Sequence, residues 1–180
     1  MFHDYLLEKN VSSSQEYPNN AFGKQLKTVH HVMLIGGTEM ALRTAQLLEK
    51  KYAITLVVDD KEVGKKFLAN LENTLVINAN TSNIDLLKEE GLADMDAFIA
   101  LTPNSEINII TSLVAKELGV YKTISLVDNV NYIHISQNIG IDTIINKKLV
   151  AANEIFRFVR KGRVKAIASL HGVDAEVIEF

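Results

Sequence analysis

Short β-branched runs alternate with amphipathic stretches from residue 29 of this chain onward. That is the pattern of βαβ units, in which buried parallel strands are joined by helices packed on the sheet. The runs fall at 29–35, 53–58, 74–78, 97–101, 123–127 and 143–145, each about the length of a buried strand. Between them, residues 40–50 set Leu42, Ala45 and Leu48, with Leu47, on a helical stripe. Residues 107–118 do the same with Ile110, Leu113, Val114 and Leu118, and Gly119 follows as a terminator. The expected fold is α/β: a doubly wound, mainly parallel six-stranded sheet of Rossmann-like form over residues 29–147.

Composition removes several function classes. With 47% hydrophobic and 23% charged residues in 180, the chain has enough apolar surface for a buried core. It has no cysteine, which excludes disulfides, thiolate zinc sites and cysteine nucleophiles. The net charge is −3 and the 19 Lys and Arg are scattered, with only short pairs such as Lys65-Lys66 and Lys147-Lys148, so nucleic acid is not an expected partner. No apolar run approaches the ~20 residues of a spanning helix. The expected compartment is the cytoplasm, with any membrane association made through a partner. His30-His31 stand apart from His3, His134 and His171, without the helical pairing of a metal site. Neither a G-x-S-x-G elbow nor a glycine-lysine-threonine phosphate loop is present.

Segments outside the repeating pattern are expected to be appendages. Residues 1–28 read as a mobile tail or linker, since 10–20 hold three serines, three asparagines and a proline. Residues 148–161 read as a helix with Leu149, Ala152, Phe156 and Val159 on one side, widened by Ile155 and Phe158. Such a face either lies over its own sheet or makes a dimer contact. Two β-like runs, 164–170 and 175–178, flank His171-Gly172 and look like the start of a small second lobe.

In a parallel sheet the loop after the first strand delivers the chain to a helix N-terminus, where free N–H groups and the helix dipole favour a phosphate. This chain places Gly36-Gly37-Thr38-Glu39-Met40-Ala41 there. In the G-x-G-x-x-G pattern the glycines serve the tight turn, the approach of the pyrophosphate and the packing of helix on strand. Gly36 fills the first slot, Thr38 stands at the second and Ala41 at the third. The threonine side chain crowds a pyrophosphate, although its hydroxyl could bond a phosphate oxygen, and Glu39 adds negative charge nearby. A ribose-binding acid belongs at the end of the second strand, where Val57-Val58-Asp59-Asp60 offers Val58 by spacing and Asp59 by chemistry. Asp59 and Asp60 read equally well as helix caps. Thr102-Pro103-Asn104-Ser105-Glu106 reads either as a ligand-binding loop or as a helix cap made by Ser105 or Pro103.

With these stretches in view, residues 29–180 resemble the nucleotide-binding domain of regulators of potassium conductance, in particular the Trk-type potassium-uptake regulators and most of all the second of their two copies. The most specific matches are Asp96-Ala97-Phe98-Ile99-Ala100-Leu101-Thr102, Glu106-Ile107-Asn108, Ala115-Lys116-Glu117-Leu118-Gly119, and Val159-Arg160-Lys161-Gly162-Arg163 leading to Ser169-Leu170. The resemblance puts the phosphate loop on Gly36, Gly37, Thr38, Glu39 and Met40, the ribose acid on Val58 or Asp59, and a strand-end threonine on Thr102. Where that family usually has Gly-Asp, often an arginine, and an acid, this chain has Ala79-Asn80, Leu126 and Ser105.

What the resemblance implies is a regulatory subunit and not an enzyme. Its ligands would be NAD(H) or ATP/ADP, bound at a degenerate site whose grip is weak, altered or absent. It would sit on the inner face of the plasma membrane through a potassium channel subunit of the TrkH or TrkG kind, as a homo-oligomer paired through residues 148–163, with 164–180 opening a truncated C-terminal lobe. The rival expectations are a structural pseudo-domain that binds nothing and a nicotinamide-dependent oxidoreductase.

Overall fold

Val32 and Leu34 enter one face of the sheet and Met33 and Ile35 the other, because successive side chains of a strand alternate. All four are essentially inaccessible, so this strand is covered on both sides, as parallel strands are. The structure, a computed structural model, describes residues 27–159 together with 166–169 and 176–179. Its elements are β1 (His31–Ile35), α1 (Glu39–Leu48), β2 (Ala53–Val58), α2 (Lys61–Leu68), β3 (Thr74–Asn78), α3 (Ile84–Glu89) and a 3₁₀ turn (Leu92–Asp94). They continue with β4 (Ala97–Ala100), α4 (Ser105–Glu117), β5 (Lys122–Leu126), α5 (Val130–Asn138), β6 (Thr143–Ile145), α6 (Lys147–Val159), β7 (Ala166–Ser169) and β8 (Glu176–Glu179).

The first six strands form one sheet in the order β3-β2-β1-β4-β5-β6, with every neighbouring pair parallel. This is the doubly wound Rossmann-like arrangement. One core layer joins Val32, Leu34, Leu56 and Val58 to Ala41, Leu42, Ala45 and Phe67 of α1 and α2. The opposite layer joins Met33, Ile35, Val57 and Phe98 to Leu87, Leu92 and Ala115. The first strand starts at His31 and not at residue 29, because an acid organises the entry: Asp96 Oδ2 accepts from the backbone N–H of His30 and His31 at 2.9 and 3.0 Å.

The same device recurs at the amino ends of two other strands. Asp142 accepts from Thr123 N (2.9 Å), and Glu49 from Asn73 N (2.9 Å) and the Thr74 hydroxyl (2.9 Å). Lys27 and Lys116 pair with Asp96 and Asp142. Backbone bonds from His31 and His30, with Lys27, hold the Asp96 carboxyl well below the usual range. Burial opposes ionisation of Asp142, but Lys116 and Thr123 outweigh it and lower its pKa.

Beyond β6 the chain does not return to its own sheet: no residue of α6 is buried. Of the two dispositions open to this helix, the apolar side turned onto its own sheet is therefore not the one adopted. The strands β7 and β8 pair antiparallel, Ala166 opposite Glu179. The expectations for residues 1–26, 160–165, 170–175 and 180 lie outside the described residues.

Candidate functional site

Strand order reverses between β1 and β4, and in an open α/β sheet such a reversal leaves a crevice beyond the carboxyl ends of the two strands. The loop from β1 to α1 lies against that crevice. Gly36 has φ +131, and a Cβ there would stand 2.7 Å from both the carbonyl carbon and oxygen of Leu101 and 2.9 Å from Thr102 N. The loop backbone therefore rests directly on the end of β4, a contact open only to glycine. Gly36 N donates to Val57 O at 3.0 Å, and Leu101 N donates to Ile35 O at 2.9 Å. The turn is thus stitched to β2 while its parent strand is stitched to β4.

Thr38 is the N-cap of α1, with extended backbone geometry. Its hydroxyl accepts from Ala41 N at 3.2 Å and donates to Leu101 O at 3.1 Å. The hydroxyl proton is thus engaged by the protein, where the sequence left it free for a phosphate. Glu39 opens the helix and pairs with Arg43 at 3.0 Å, both side chains largely exposed. That pairing partly screens its charge, although an exposed pair adds little stability. Met40 packs against the core layer beneath α1.

At the end of β2, Val58 is fully buried, and a Cβ on Gly37 would lie 3.2 Å from its Cγ1. Asp59 turns toward β3, where Oδ1 accepts from Thr81 N at 2.8 Å and Oδ2 from the Thr81 hydroxyl at 2.7 Å. Asp60 caps α2 through Glu62 N and Val63 N. Of the two aspartates read as caps, only Asp60 acts as one. Asn80 Oδ1 accepts from Ser82 N and the Ser82 hydroxyl at 2.9 and 2.7 Å, closing its own turn.

On the far side of the crevice Thr102 is buried, and its N–H donates to Asn108 Oδ1 at 3.0 Å. The amide of Asn108 donates back to Thr102 O and across to Leu126 O, both at 2.9 Å. The cap of α4 is Asn104, not Ser105 or Pro103: Asn104 has the extended backbone, and its Oδ1 accepts from Ile107 N at 2.9 Å. Ser105 is already helical, and its hydroxyl accepts from Asp128 N at 3.0 Å. Leu126 ends β5 inside the core.

The structure thus gathers Gly36, Thr38 and Thr102 at one crevice, and sets Asp59 and Asn80 beside the turn after β3. Sequence reasoning assigned no role to Leu101, whose carbonyl anchors Thr38, or to the clamp Asn108. A signal for Asn108 was present: an amide in the first turns of a helix, followed by Thr111, Ser112 and Ala115, puts polar groups on the buried side.

The TrkA-N domain model matches residues 32–147. This chain belongs to the TrkA-N domain family. A relative named Trk system potassium uptake protein TrkA, from Haemophilus influenzae, is 35% identical over 155 residues, covering 86% of this chain and 34% of that protein. The TrkA-N domain of the inner membrane protein ybaL from Escherichia coli superposes with TM-score 0.65 at 12% identity, covering 75% of this chain and all of that one. The GsuK channel bound to NAD superposes at 0.62 with 16% identity, over 94% of this chain and 29% of that one, and GsuK bound to ADP at 0.55 with 16% identity, over 86% and 39%. These likenesses carry the fold. This TrkA-N chain spans between 32% and 44% of the length of these curated relatives. Among the described residues, no helix is long and apolar enough to cross a membrane and no acidic or histidine cluster could hold a metal ion.

Proposed function

We propose that this TrkA-N domain is a ligand-sensing regulatory part of a Trk-type potassium-uptake system. It acts in the cytoplasm on a membrane channel subunit of the TrkH or TrkG kind and catalyses no reaction. The supporting observation is the glycine turn at the switch point, where Gly36 lies against Leu101 and α1 begins at the crevice. A helix N-terminus so placed suits a phosphate, and relatives in fold carry NAD or ADP in their structures.

The grip is reduced. Thr38 binds Leu101 O, Val58 replaces an acid, and Leu126 offers no charge. If each missing contact is worth about 1 kcal/mol, a micromolar site weakens by roughly 100-fold to about 0.1 mM. Calorimetric titration with NADH, NAD, ATP and ADP is expected to give dissociation constants near or above that value. In Thr38→Gly/Val58→Glu the affinity rises at least tenfold. Micromolar binding by the unaltered chain would refute the degenerate site. Silence from both chains would leave the pseudo-domain, which the engaged Thr38 hydroxyl and buried Val58 favour as the second reading. Steady nicotinamide absorbance with candidate hydride acceptors is expected, and turnover would establish an oxidoreductase.

The second half of the proposal concerns assembly. Phe158 and Val159 of α6 are 71% and 75% exposed, and Leu149, Val150 and Ile155 are exposed with them. Ile155, Phe158 and Val159 share a helix side at three- and four-residue spacing, and an apolar side of this kind on a monomer marks a protein contact. A second copy of the chain pairs through 148–163. Sedimentation of Ile155→Asp/Phe158→Asp is expected to show a dimer constant weakened by more than tenfold, and an unchanged constant would remove α6 from the interface.

A further inference from the structure

The crevice and α6 are joined by hydrogen bonds and the short backbone segments between them, most of the bonds being made by two buried asparagine side chains. Thr38 donates to Leu101 O at 3.1 Å. The same peptide unit and the one after it are held by Asn108, which accepts from Thr102 N at 3.0 Å and donates to Thr102 O, and across to Leu126 O, at 2.9 Å. The unit after Leu126 is held by Asn146: its Nδ2 donates to Val127 O at 2.7 Å and Asp128 O at 3.2 Å. The other end of the same side chain begins α6, since Asn146 Oδ1 accepts from Lys148 N and Leu149 N at 3.0 and 3.1 Å.

We propose that Asn146 is the positioning residue that fixes the direction of α6 to the state of the crevice, with Asn108 as its link to the phosphate loop. Two features support a joint over a simple cap. Asn146 is buried while no residue of the helix it starts is, so its amide is the point at which that helix is fastened to the sheet. Lys147, the first residue of α6, also pairs with Asp128 Oδ2 at 3.3 Å, while Asp128 Oδ1 is buried without a partner. The loop after β5 is thus tied to β6, to Ser105 and to Asn146 by its backbone and to α6 by the Lys147 pair, and it keeps one buried carboxylate oxygen without a partner, which a small rearrangement could satisfy. A shift of Leu101 by a ligand at Gly36 would displace Thr102, then Leu126, then the two carbonyls on which the amide of Asn146 hangs. Coupling of this kind needs a demonstrated linkage between the two ends and not proximity alone.

The proposal rests on the crevice being a ligand site, but its test uses no ligand. Hydrogen exchange at the amides of residues 148–152 is measured in the intact protein over a double-mutant cycle of Thr38→Val and Asn146→Asp. Thr38→Val removes the tie to Leu101 O. Asn146→Asp retains an oxygen for the helix cap and removes the donor to Val127 O and Asp128 O. Thr38→Val is expected to speed exchange in this segment about fivefold, with Thr38→Ser restoring the parent rate. In the Asn146→Asp background the same change falls below twofold. Equal acceleration in both backgrounds, or none in either, overturns the relay. Should Asn146→Asp expose the β1 amides and so report lost folding, Asn146→Ser replaces it, keeping the cap oxygen without the amide. A coupled cycle in a chain that binds no nucleotide leaves the relay standing and refutes ligand sensing. An additive cycle in a chain that binds NADH does the reverse.

Discussion

Replacing Gly36 by alanine is expected to lower the melting temperature by roughly 10 °C, the fall that corresponds to about 3 kcal/mol for a domain of this size. Two costs act together. At φ +131 an L side chain is strained by about 1–3 kcal/mol wherever it points. In addition, the new Cβ would lie 2.7 Å from the carbonyl carbon and oxygen of Leu101, which are backbone atoms and cannot rotate away. Relief requires β1 and β4 to part at the switch point, where Leu101 N donates to Ile35 O. Gly119 is the internal control: its φ is +93, yet nothing lies within 4 Å of a Cβ there. Gly119→Ala is expected to lose only about 1 kcal/mol, the left-handed penalty alone. Thermal denaturation of both variants decides the matter, and equal losses would mean that the close approach to Leu101 contributes nothing.

The sheet was legible because its central strands are buried on both faces and so appear as β-branched runs, and the edge strands β3 and β6 keep the same β-branched composition although they are less buried. Three of the helices were not. In α2 (Lys61–Leu68) a glycine and three lysines leave little but Val63 and Phe67 to mark the core side. The helix α3 (Ile84–Glu89) is shorter than two turns, too brief for a period to show. In α5 (Val130–Asn138) apolar and polar residues are mixed without a stripe. Helix starts were masked for a different reason. Asp60, Asn83, Asn104 and Asn146 cap helices at the carboxyl end of the sheet, and this is also where ligand-binding polar residues stand, so one residue type serves two ends.

The candidate site shows the same ambiguity from the other side. Thr38, Asp59, Asn80 and Thr102 follow the carboxyl ends of β1 to β4, the end of an open α/β sheet at which ligands bind, and sequence can place them there. It cannot say that Asp59 reaches Thr81, that Asn80 closes onto Ser82, or that Thr102 is locked to Asn108. These partners lie two to 22 residues away, and the choice among them is made by side-chain rotamers. What remains legible is Gly36, since the contact that requires it is a backbone contact.

Asn108→Ala is expected to be at least as damaging as the glycine change, at about 3 kcal/mol or more. The residue is wholly inaccessible, and its removal leaves Thr102 N, Thr102 O and Leu126 O buried without partners, at about 1–3 kcal/mol for each group so stranded. Asn108→Leu, which fills the volume, should recover little, because the loss lies in the unpaired groups and not in the cavity. Asn108→Asp separates the two halves of the clamp. It keeps an oxygen for Thr102 N but turns a carboxylate toward the carbonyls of Thr102 and Leu126, which favour a proton there. The folded-state pKa of the new acid is therefore raised, so the folded chain binds the proton more tightly than the unfolded one, and stability must fall as pH rises. Urea denaturation is expected to show Asn108→Asp regaining stability on going from pH 7 to pH 5, while Asn108→Ala shows no such gain. Parallel pH profiles for the two variants would mean that the amide of Asn108 does not face the two carbonyls, and the bridge from β4 to β5 would fall with it.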